Sequence, residues 1–523
     1  MDETRYASVA WEMWLRGDFL VPYINGEPYS HKPPLLFWLI QLGWSLFGVN
    51  DWWPRLVAPL CALASIPLLS RLGRLLWPEA TKENEAARLL SVWVLFGSLL
   101  FAAFITLTMF DLLLTLCAMA AMIGVLTLAN GERQTGDGAR ETMDGARAVG
   151  LLLLGAGIGL GVLAKGPVIL LHVLPAAVVA PWWAPSLKRR LGRWYLDLLL
   201  GVLLGAALAL AWALPAAWFG GEEYRRAIFW GQTAGRVAES FAHRSPWWYY
   251  LPLLPVILFP WFVWPRFWKG LFELRSESEK SGLKFLAAWL ILTLVGFSLV
   301  SGKQAKYLVP FLPGFALLAG YALSRVKAPA RWWEMLPPAL GFLALPALLA
   351  YMRTRPAAMK LPEWWTANIP LWPIAVLALA APLLLFFRRK EPATQARALA
   401  FAMLAAFAVV GAGVIPAYVP NSDPGPAARH LAALQDRKVP LAHLGKYHAQ
   451  YNFVGRLRAP IEILDPLEVK LWVAAHPAGQ VLTVEPARYG GAGSGPEYQT
   501  PFRGAWLQAW RGEALLVARP ELR

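Results

Sequence analysis

Charged residues and cysteines are both scarce in this chain. Only 16% of its 523 residues are charged, 57% are hydrophobic, and two are cysteine. A soluble protein normally carries about 25% charged residues, so the composition excludes an ordinary soluble enzyme. Cys61 and Cys117 both lie inside apolar runs, where they build neither a disulfide framework nor a zinc site. The sequence also has no glycine-rich loop for nucleotide phosphates.

Long apolar runs dominate the sequence instead. A helix needs about 20 apolar residues to cross a hydrocarbon core about 30 Å thick, and the sequence predicts about 12 such spans. Tryptophan is abundant at the ends of the runs, as is typical of membrane interfaces. The sequence therefore predicts a polytopic α-helical membrane protein. The predicted spans are 54–77, 87–105, 109–129, 148–164, 166–184, 197–218, 250–268, 284–301, 306–324, 334–351, 370–387 and 398–418.

The distribution of lysine and arginine predicts the orientation. Residues 33–50 form a short run that begins with "KPP", and we expect that it does not cross the membrane. The loops after odd-numbered spans then carry more than twice as many lysines and arginines as the loops after even-numbered spans. Cytoplasmic loops are the basic ones. This places residues 1–53 and the region after 418 on the periplasmic face of a bacterial inner membrane.

The composition changes after the last predicted span. The stretches "VPLAHLG", "APIEIL", "GQVLTVEP" and "EALLVARP" predict short strands, and "YHAQYNFVGRL" and "PLEVKLWVAAH" predict helices. We therefore predict three parts: outer juxtamembrane helices in 1–53, a transmembrane domain in 54–418, and a small extracytoplasmic α/β domain in 419–523.

Ionisable residues at a membrane edge are costly, which makes each of them a functional candidate. The acidic pair Asp2 and Glu3 opens a helix whose apolar face, including Tyr6, predicts an interfacial helix; the pair also suits the helix dipole alone. In "HKPP", Lys32 offers a positive charge for a phosphate, although a snorkelling lysine explains it equally simply.

Further candidates lie at the outer ends of later spans. Asp111 stands alone in "TLTMFDLLLTL", and Lys165 occupies a tight hairpin whose Gly and Pro also fit ordinary turn chemistry. The outer loop 219–249 is longer than most structureless connections, which favours a functional loop. That loop contributes Arg236 and His243, and "SGKQAKYLVPFLP" contributes Lys303, Lys306 and Tyr307.

Together these side chains predict an outward-facing cavity with carboxylates and cations. Such a cavity suits a lipid-linked phosphosugar, because cations bind the phosphate leaving group and a carboxylate handles the acceptor. A flippase for lipid-linked sugars needs similar cations, but secondary transporters keep their site near the midplane. No cofactor is firmly predicted, and a divalent metal near His31 and His243 stays open.

The stretch "DETRYASVAWEM", followed by "HKPPLLFWL", Asp111 and Lys165-Gly166, resembles membrane glycosyltransferases related to protein O-mannosyltransferases. It resembles the ArnT-type aminoarabinose transferases of lipid A more closely. The resemblance continues more loosely through Arg236 and "HRSPWWYYLP" to "KYLVPFLP". It implies a GT-C architecture, a polyprenyl-phosphate sugar donor, and a transmembrane span ahead of Asp2.

The resemblance also implies roles for the candidate residues. Asp2 is expected to be the catalytic carboxylate, with Glu3 and Asp111 as further catalytic candidates. ArnT-type enzymes often carry Glu where this chain has His31, which weakens the case for aminoarabinose and lipid A but not for the family. The predicted acceptor is lipid A or a related glycolipid, and protein O-glycosylation and a lipid-linked sugar flippase are the alternatives. The candidates for substrate binding are Arg5, Tyr6, His31, Lys32, Lys165, Arg236, His243, Lys303, Lys306 and Tyr307.

Overall fold

The computed structural model describes residues 2–130, 140–234, 244–274, 280–359, 361–490 and 495–522. The chain divides into two compact units. Unit 1 comprises Met1–Tyr29, Pro346–Ala375 and Val409–Arg523, and unit 2 comprises Ser30–Leu345 and Val376–Ala408.

Helices account for most of the described residues. In chain order they are α1 (Asp2–Arg16), α2 (Leu35–Phe47), α3 (Trp52–Leu76), α4 (Lys82–Phe96), α5 (Leu99–Ile105), α6 (Asp111–Asn130), α7 (Arg140–Lys165), α8 (Ile169–Val178), α9 (Ala180–Trp183), α10 (Leu191–Phe219), α11 (Gly221–Arg226), α12 (Leu254–Ile257), α13 (Pro265–Glu273), α14 (Lys280–Leu299), α15 (Leu312–Ser324), α16 (Leu336–Thr354), α17 (Glu363–Thr366), α18 (Leu371–Phe386), α19 (Pro392–Val409), α20 (Ile415–Tyr418), α21 (Gly425–Asp436), α22 (Val469–Ala475) and α23 (Gly512–Ala518). The strands are β1 (Tyr23–Ile24), β2 (Glu27–Pro28), β3 (Leu441–Leu444), β4 (Glu462–Leu464), β5 (Gln480–Glu485), β6 (Tyr498–Phe502) and β7 (Ala505–Arg511).

Within the described ranges, eight helices are long and apolar enough to cross a membrane, or nine if α4 and α5, bent by 66°, form one span. Helices α2, α8 and α18 are apolar but shorter. The prediction of one continuous span over 250–268 is wrong: only α12 and α13 form there. Prolines at 252, 255, 260 and 265 explain the break, because each lacks a backbone donor.

Glycines bring α6 and α7 of unit 2 into close antiparallel contact. A Cβ atom on Gly124 of α6 would lie 2.5 Å from the backbone nitrogen of Leu154. A Cβ on Gly157 of α7 would lie 2.6 Å from the backbone nitrogen of Ala121. Small residues allow this approach of two backbones, as is usual for membrane helices. The start of α6 is therefore held beside the end of α7.

Unit 1 contains a five-stranded sheet of order β4-β3-β5-β7-β6. Strand β3 pairs in parallel with β4 and β5, and β7 pairs antiparallel with β5 and β6. Successive residues face opposite sides. Leu441 and Leu482 join the core cluster that contains Leu431 of α21, whereas Ala442 and Val481 join the cluster on the other face.

The six local predictions for the C-terminal region have different outcomes. The three predicted strands that became β3, β4 and β5 are confirmed, and so is the helix in "PLEVKLWVAAH". "EALLVARP" was predicted as a strand but lies in α23, where alanine and leucine favour a helix and Leu515 is buried in the core. "YHAQYNFVGRL" forms turns rather than a helix. Strands β6 and β7 were not predicted.

The first helix is confirmed, but its predicted role as an interfacial helix is wrong. Tyr6, Val9 and Met13 of the apolar face are at most 2% exposed, so this face is buried within the protein. In unit 1 the Oγ of Ser8 donates a hydrogen bond to the carbonyl of residue 449, and the Trp11 indole donates to the carbonyl of residue 457. Helix α1 is thus attached to the loop between β3 and β4.

Candidate active site

The centre of the candidate site in unit 2 is a buried ion pair. Asp111, the first residue of α6, accepts a hydrogen bond from the Nζ of Lys165, the last residue of α7. Their side chains are 1% and 8% exposed. The sequence predicted both residues separately, and the antiparallel packing of α6 and α7 explains why they meet. Gly166, with a φ of +85°, turns the chain immediately after the lysine.

An aromatic side chain completes the surroundings of Lys165. The Nζ of Lys165 lies 5.2 Å from the centroid of the Tyr307 ring, which is a cation–π distance. Tyr307 belongs to a 3-10 turn over Ala305–Phe311, and its ring lies 5.8 Å from that of Phe297 in α14. The structure therefore brings together three predicted site residues: Asp111, Lys165 and Tyr307.

Lys32 lies beside the residue that precedes Asp111. Its Nζ is 5.9 Å from the centroid of the Phe110 ring, and the Phe37 ring packs edge-on against the same ring at 5.7 Å. Pro34 is the N-cap residue of α2, so the lysine stands just before the helix. A second cation is thereby placed near the acidic start of α6.

His172 belongs to this neighbourhood although sequence reasoning did not select it. The side chain is 1% exposed, and among the described residues neither ring nitrogen has a hydrogen-bond partner. Its ring lies 4.9 Å from that of Phe297, the residue that also contacts Tyr307. The only sequence signal is its position seven residues after Lys165, beyond the turn at Gly166.

The other predicted residues of unit 2 lie in different settings. Lys303 is buried and donates hydrogen bonds to the carbonyls of Ser245 at 3.0 Å and Val300 at 2.5 Å. Lys306 is half-buried and His31 is exposed. Arg236 and His243 lie outside the described residues. Within the described ranges, no group of three or more His, Cys, Asp or Glu side chains is arranged to hold a metal ion.

The predicted residues of the acidic helix lie in unit 1. Asp2 is the first residue of α1, and its side chain lies outside the described set. Glu3 is exposed, whereas Arg5 is half-buried with its guanidinium 5.7 Å from the ring of the buried Tyr6. The helix is fixed by the side chain of Ser8, which also accepts a hydrogen bond from a backbone amide at 3.1 Å.

Comparison with known proteins gives three consistent matches. Residues 31–215 match a family described as dolichyl-phosphate-mannose-protein mannosyltransferase. The undecaprenyl phosphate-alpha-4-amino-4-deoxy-L-arabinose arabinosyl transferase of Pseudomonas paraeruginosa is 33% identical over 405 residues, which cover 73% of this chain and 69% of that protein. A crystal structure of ArnT from Cupriavidus metallidurans bound to undecaprenyl phosphate superposes with a TM-score of 0.74 at 20% identity, over 97% of this chain and 93% of that one.

The long apolar helices, the small α/β unit and the structural match define a polytopic membrane protein of GT-C architecture, as the sequence predicted. Proteins of this class are glycosyltransferases with lipid-linked sugar donors. The chain belongs to the family of ArnT-type undecaprenyl phosphate-aminoarabinose arabinosyl transferases. The family resemblance stated from the sequence is therefore confirmed, and so is the prediction of a membrane glycosyltransferase.

Proposed function

We propose that this protein transfers 4-amino-4-deoxy-L-arabinose from undecaprenyl phosphate to a phosphorylated glycolipid such as lipid A. The transfer would take place on the periplasmic side of the bacterial inner membrane. The activity for which the relatives are named supports the sugar and its carrier. The observation that carries the proposal is the buried Asp111–Lys165 pair, with Lys32 over the ring of the adjoining Phe110, because it combines cations with an apolar setting at the ends of membrane helices.

Lys165 and Lys32 are proposed to hold the donor phosphate. Cations that face a leaving phosphate stabilise the negative charge that grows on it during transfer, and they do so most strongly where water is excluded. Asp111 keeps the Lys165 ammonium in a fixed position at the end of α7. Tyr307, whose ring contacts the same ammonium, limits the directions in which Lys165 is able to move.

The reaction exchanges two bonds at the anomeric carbon of the sugar. The bond from this carbon to the phosphate oxygen of the donor breaks, and undecaprenyl phosphate leaves. An acceptor oxygen forms the new bond from the opposite side, so the configuration inverts. A phosphate acceptor is already a nucleophile, and Asp2 then acts as an electrostatic organiser. A hydroxyl acceptor requires Asp2, or Glu3 beside it, as general base.

The test uses the purified full chain in lipid nanodiscs with radiolabelled undecaprenyl-phosphate aminoarabinose and a lipid A extract. Lys32→Gln and Asp2→Asn should each lower label transfer at least tenfold, because each removes a charge assigned to the reaction. Lys284→Gln is the matched control, since Lys284 is also half-buried with its Nζ 5.9 Å from an aromatic ring, that of Trp182. Wild-type protein that transfers no label to lipid A contradicts the proposal, and equal losses in Lys32→Gln and Lys284→Gln contradict the role of Lys32.

Protein glycosylation is the second candidate. It is supported by the match of residues 31–215 to a family whose description names a protein acceptor. The same reaction supplemented with unfolded periplasmic protein separates the two, because label then appears in the protein fraction instead of the lipid fraction. A separate assay uses the protein in proteoliposomes. Movement of intact donor across that membrane, without transfer of the sugar, indicates a flippase.

A further inference from the structure

The sheet of unit 1 has a topological switch point. From β3 the chain continues to β4 on one side, and β4 leads through α22 to β5 on the other side of β3. The three strands are parallel, so their carboxyl ends share one edge of the sheet. In open α/β sheets, ligands bind outside the carboxyl ends of the strands at such a point. None of the side chains assigned above to the donor belongs to this edge.

Three basic side chains lie at the carboxyl edge. Lys446 and His448 belong to the loop that leaves β3, and both are exposed. Arg503 belongs to the turn between β6 and β7. The register pairs Glu485, the last residue of β5, with Trp506, the second residue of β7. The turn before β7 is therefore located at the same edge as the end of β3.

The turn that carries Arg503 is short and firmly placed. Phe502 pairs with Ala505, so only Arg503 and Gly504 connect the two strands. Both have positive φ angles, 54° and 80°, as in a type I′ hairpin turn, where Asn and Gly are the usual residues. The backbone amide of Arg503 also donates a hydrogen bond to the carbonyl of Asn421 at 2.5 Å. The backbone of Arg503, from which its side chain extends, is thus held at the carboxyl edge of the sheet.

Helix α1 brings a fourth basic side chain to the same place. The Oγ of Ser8 donates to the carbonyl of Ala449 at 2.7 Å and accepts from the amide of Phe453 at 3.1 Å. Arg5 lies one turn before Ser8 and shares its face of the helix. It therefore lies on the face of the helix that contacts the loop between β3 and β4.

The electrostatics of His448 support this placement. Partial burial lowers the pKa of the His448 imidazole, and the positive charges of Arg5, Lys446 and Arg503 lower it further. The three cations therefore lie within electrostatic reach of one side chain. In the described part of unit 1, neither Lys446 nor Arg503 takes part in an ion pair.

The carboxylates that the sheet and its loops place near this edge are occupied or lie on its other side. Glu485 is bound by Arg519 at 2.9 Å. Asp465 and Glu468 follow β4, beyond β3, and the carboxylate of Glu468 accepts a hydrogen bond from the Asp465 amide at 2.8 Å. The side of the edge between β3 and β5 is therefore positively charged.

We propose that this basic edge is a binding site for a phosphate monoester. The basic edge consists of Arg5, Lys446, His448 and Arg503. Arginine and lysine are the side chains that bind phosphate most strongly, and a dianion is matched by several of them together. The choice of a glycolipid phosphate as the natural ligand rests on the proposed function. Because Arg5 is one helical turn from Asp2, the acceptor phosphate is held about 5 Å along α1 from the proposed organiser.

The experiment measures binding to the full chain in nanodiscs of uncharged lipid. The probes are a short-chain phosphorylated disaccharide glycolipid, the same glycolipid after phosphatase treatment, and inorganic phosphate. The variant is Lys446→Gln/Arg503→Gln. The matched control is Arg437→Gln/Lys470→Gln, which removes the same charge from exposed positions, one of them before β3 at the amino edge of the sheet. Lys446→Arg/Arg503→Lys keeps the charge.

Loss of two charge-assisted contacts should weaken the affinity for the phosphorylated glycolipid by about tenfold or more. The control pair and the charge-conserving pair should bind as the wild type does. If inorganic phosphate displaces the glycolipid at concentrations similar to those of the glycolipid itself, the phosphate group alone is the ligand. If it competes only weakly, the whole head group is the ligand. Both results support the site. Equal affinity of the variant and the control, or of the phosphorylated and treated glycolipids, overturns it.

This result is separate from the fate of the proposed function. A wild-type protein that binds the phosphorylated glycolipid at this edge but transfers no sugar refutes the transferase activity and keeps the site. A protein that transfers sugar with the same acceptor KM in variant and control keeps the activity and refutes the site. An unchanged thermal midpoint in Lys446→Gln/Arg503→Gln shows that the variant is folded. If it is unfolded, the single variants Lys446→Gln and Arg503→Gln are measured in its place, and each should still bind the phosphorylated glycolipid more weakly than the control.

Discussion

Breaking the Asp111–Lys165 pair should destabilise unit 2 strongly, and breaking both halves together should do so much less. The perturbation is a cycle of three variants: Asp111→Asn, Lys165→Met and the double variant. Both side chains are nearly inaccessible, so each single substitution leaves the remaining charge in a medium that solvates it poorly. Removing one partner of a buried pair costs about 3–5 kcal/mol, whereas replacing both is often nearly neutral.

The same magnitude follows from electrostatics. Two unit charges about 4 Å apart attract by about 4 kcal/mol at an effective dielectric constant near 20. At about 2.1 cal/mol/K of unfolding entropy per residue, a loss of 1 kcal/mol lowers the melting midpoint of a unit of roughly 350 residues by about 1–2 °C, so each single variant should melt roughly 4–7 °C below the wild type. The double variant should melt well above the lower of the two single variants.

The chain itself supplies the assay. Its two cysteines, Cys61 in α3 and Cys117 in α6, are both buried, so a thiol-reactive fluorophore reports the opening of the helix bundle. The buried pair of Arg266 and Glu334, 2.9 Å apart in the same unit, is the matched control. Arg266→Met should destabilise by a similar amount without a selective loss of sugar transfer per folded molecule.

Two outcomes would refute this reasoning. Single variants that melt within about 2 °C of the wild type would mean that the pair is solvated, contrary to its burial. Shifts that simply add in the double variant would mean that the two charges do not interact. Recovery of stability in the double variant without recovery of transfer would separate the catalytic role of the charges from their structural role.

Three further predictions concern single side chains. Lys303→Met should lower the melting midpoint, because each hydrogen bond from its ammonium contributes about 1.5–3 kcal/mol. The donor KM of the folded fraction should stay unchanged. An altered KM with normal stability would instead support the predicted substrate contact of Lys303. Ser8→Ala should speed amide hydrogen exchange in the loop after β3, since it removes two buried hydrogen bonds. Unchanged exchange in that loop would show that Ser8 does not attach α1 to it. The pKa of His448 lies below its ordinary value, so the native state loses stability as the pH falls through the ordinary histidine range. Arg5→Gln should raise the pKa of His448, which NMR of labelled histidines measures. A pKa that does not rise would mean that Arg5 is not part of the basic edge.

Hydropathy predicted most of the membrane helices because the bilayer imposes length and composition on each of them separately. It failed over 250–268, where prolines outweigh apolarity. The two residues of the buried pair were selected one at a time, and their contact depends on glycine packing between α6 and α7, which no single position reveals. His172 was missed for the same reason.

The errors in the C-terminal region have a related origin. A short apolar run such as "EALLVARP" fits a strand or a buried helix equally well, and only the packing of Leu515 against the sheet decides. The turn between β6 and β7 was missed because Arg-Gly is an unusual pair for a type I′ turn. In addition, the interaction of α1 with a loop more than 400 residues away cannot be read from local patterns.

The charges of the candidate site match the donor before the reaction better than after it. Asp111 and Lys165 cancel, so Lys32 gives the described part of the site one net positive charge, equal to the single negative charge of a sugar phosphodiester. When the sugar leaves, the lipid phosphate gains a second negative charge, which the pair accommodates only if Lys165 shifts from the carboxylate towards the phosphate. The Tyr307 ring offers the ammonium a favourable surface along such a movement. In the proposed reaction Asp111 is then more than an anchor: it holds Lys165 before the donor binds, when an unpaired buried cation is costly, and its hold weakens as charge develops on the leaving group.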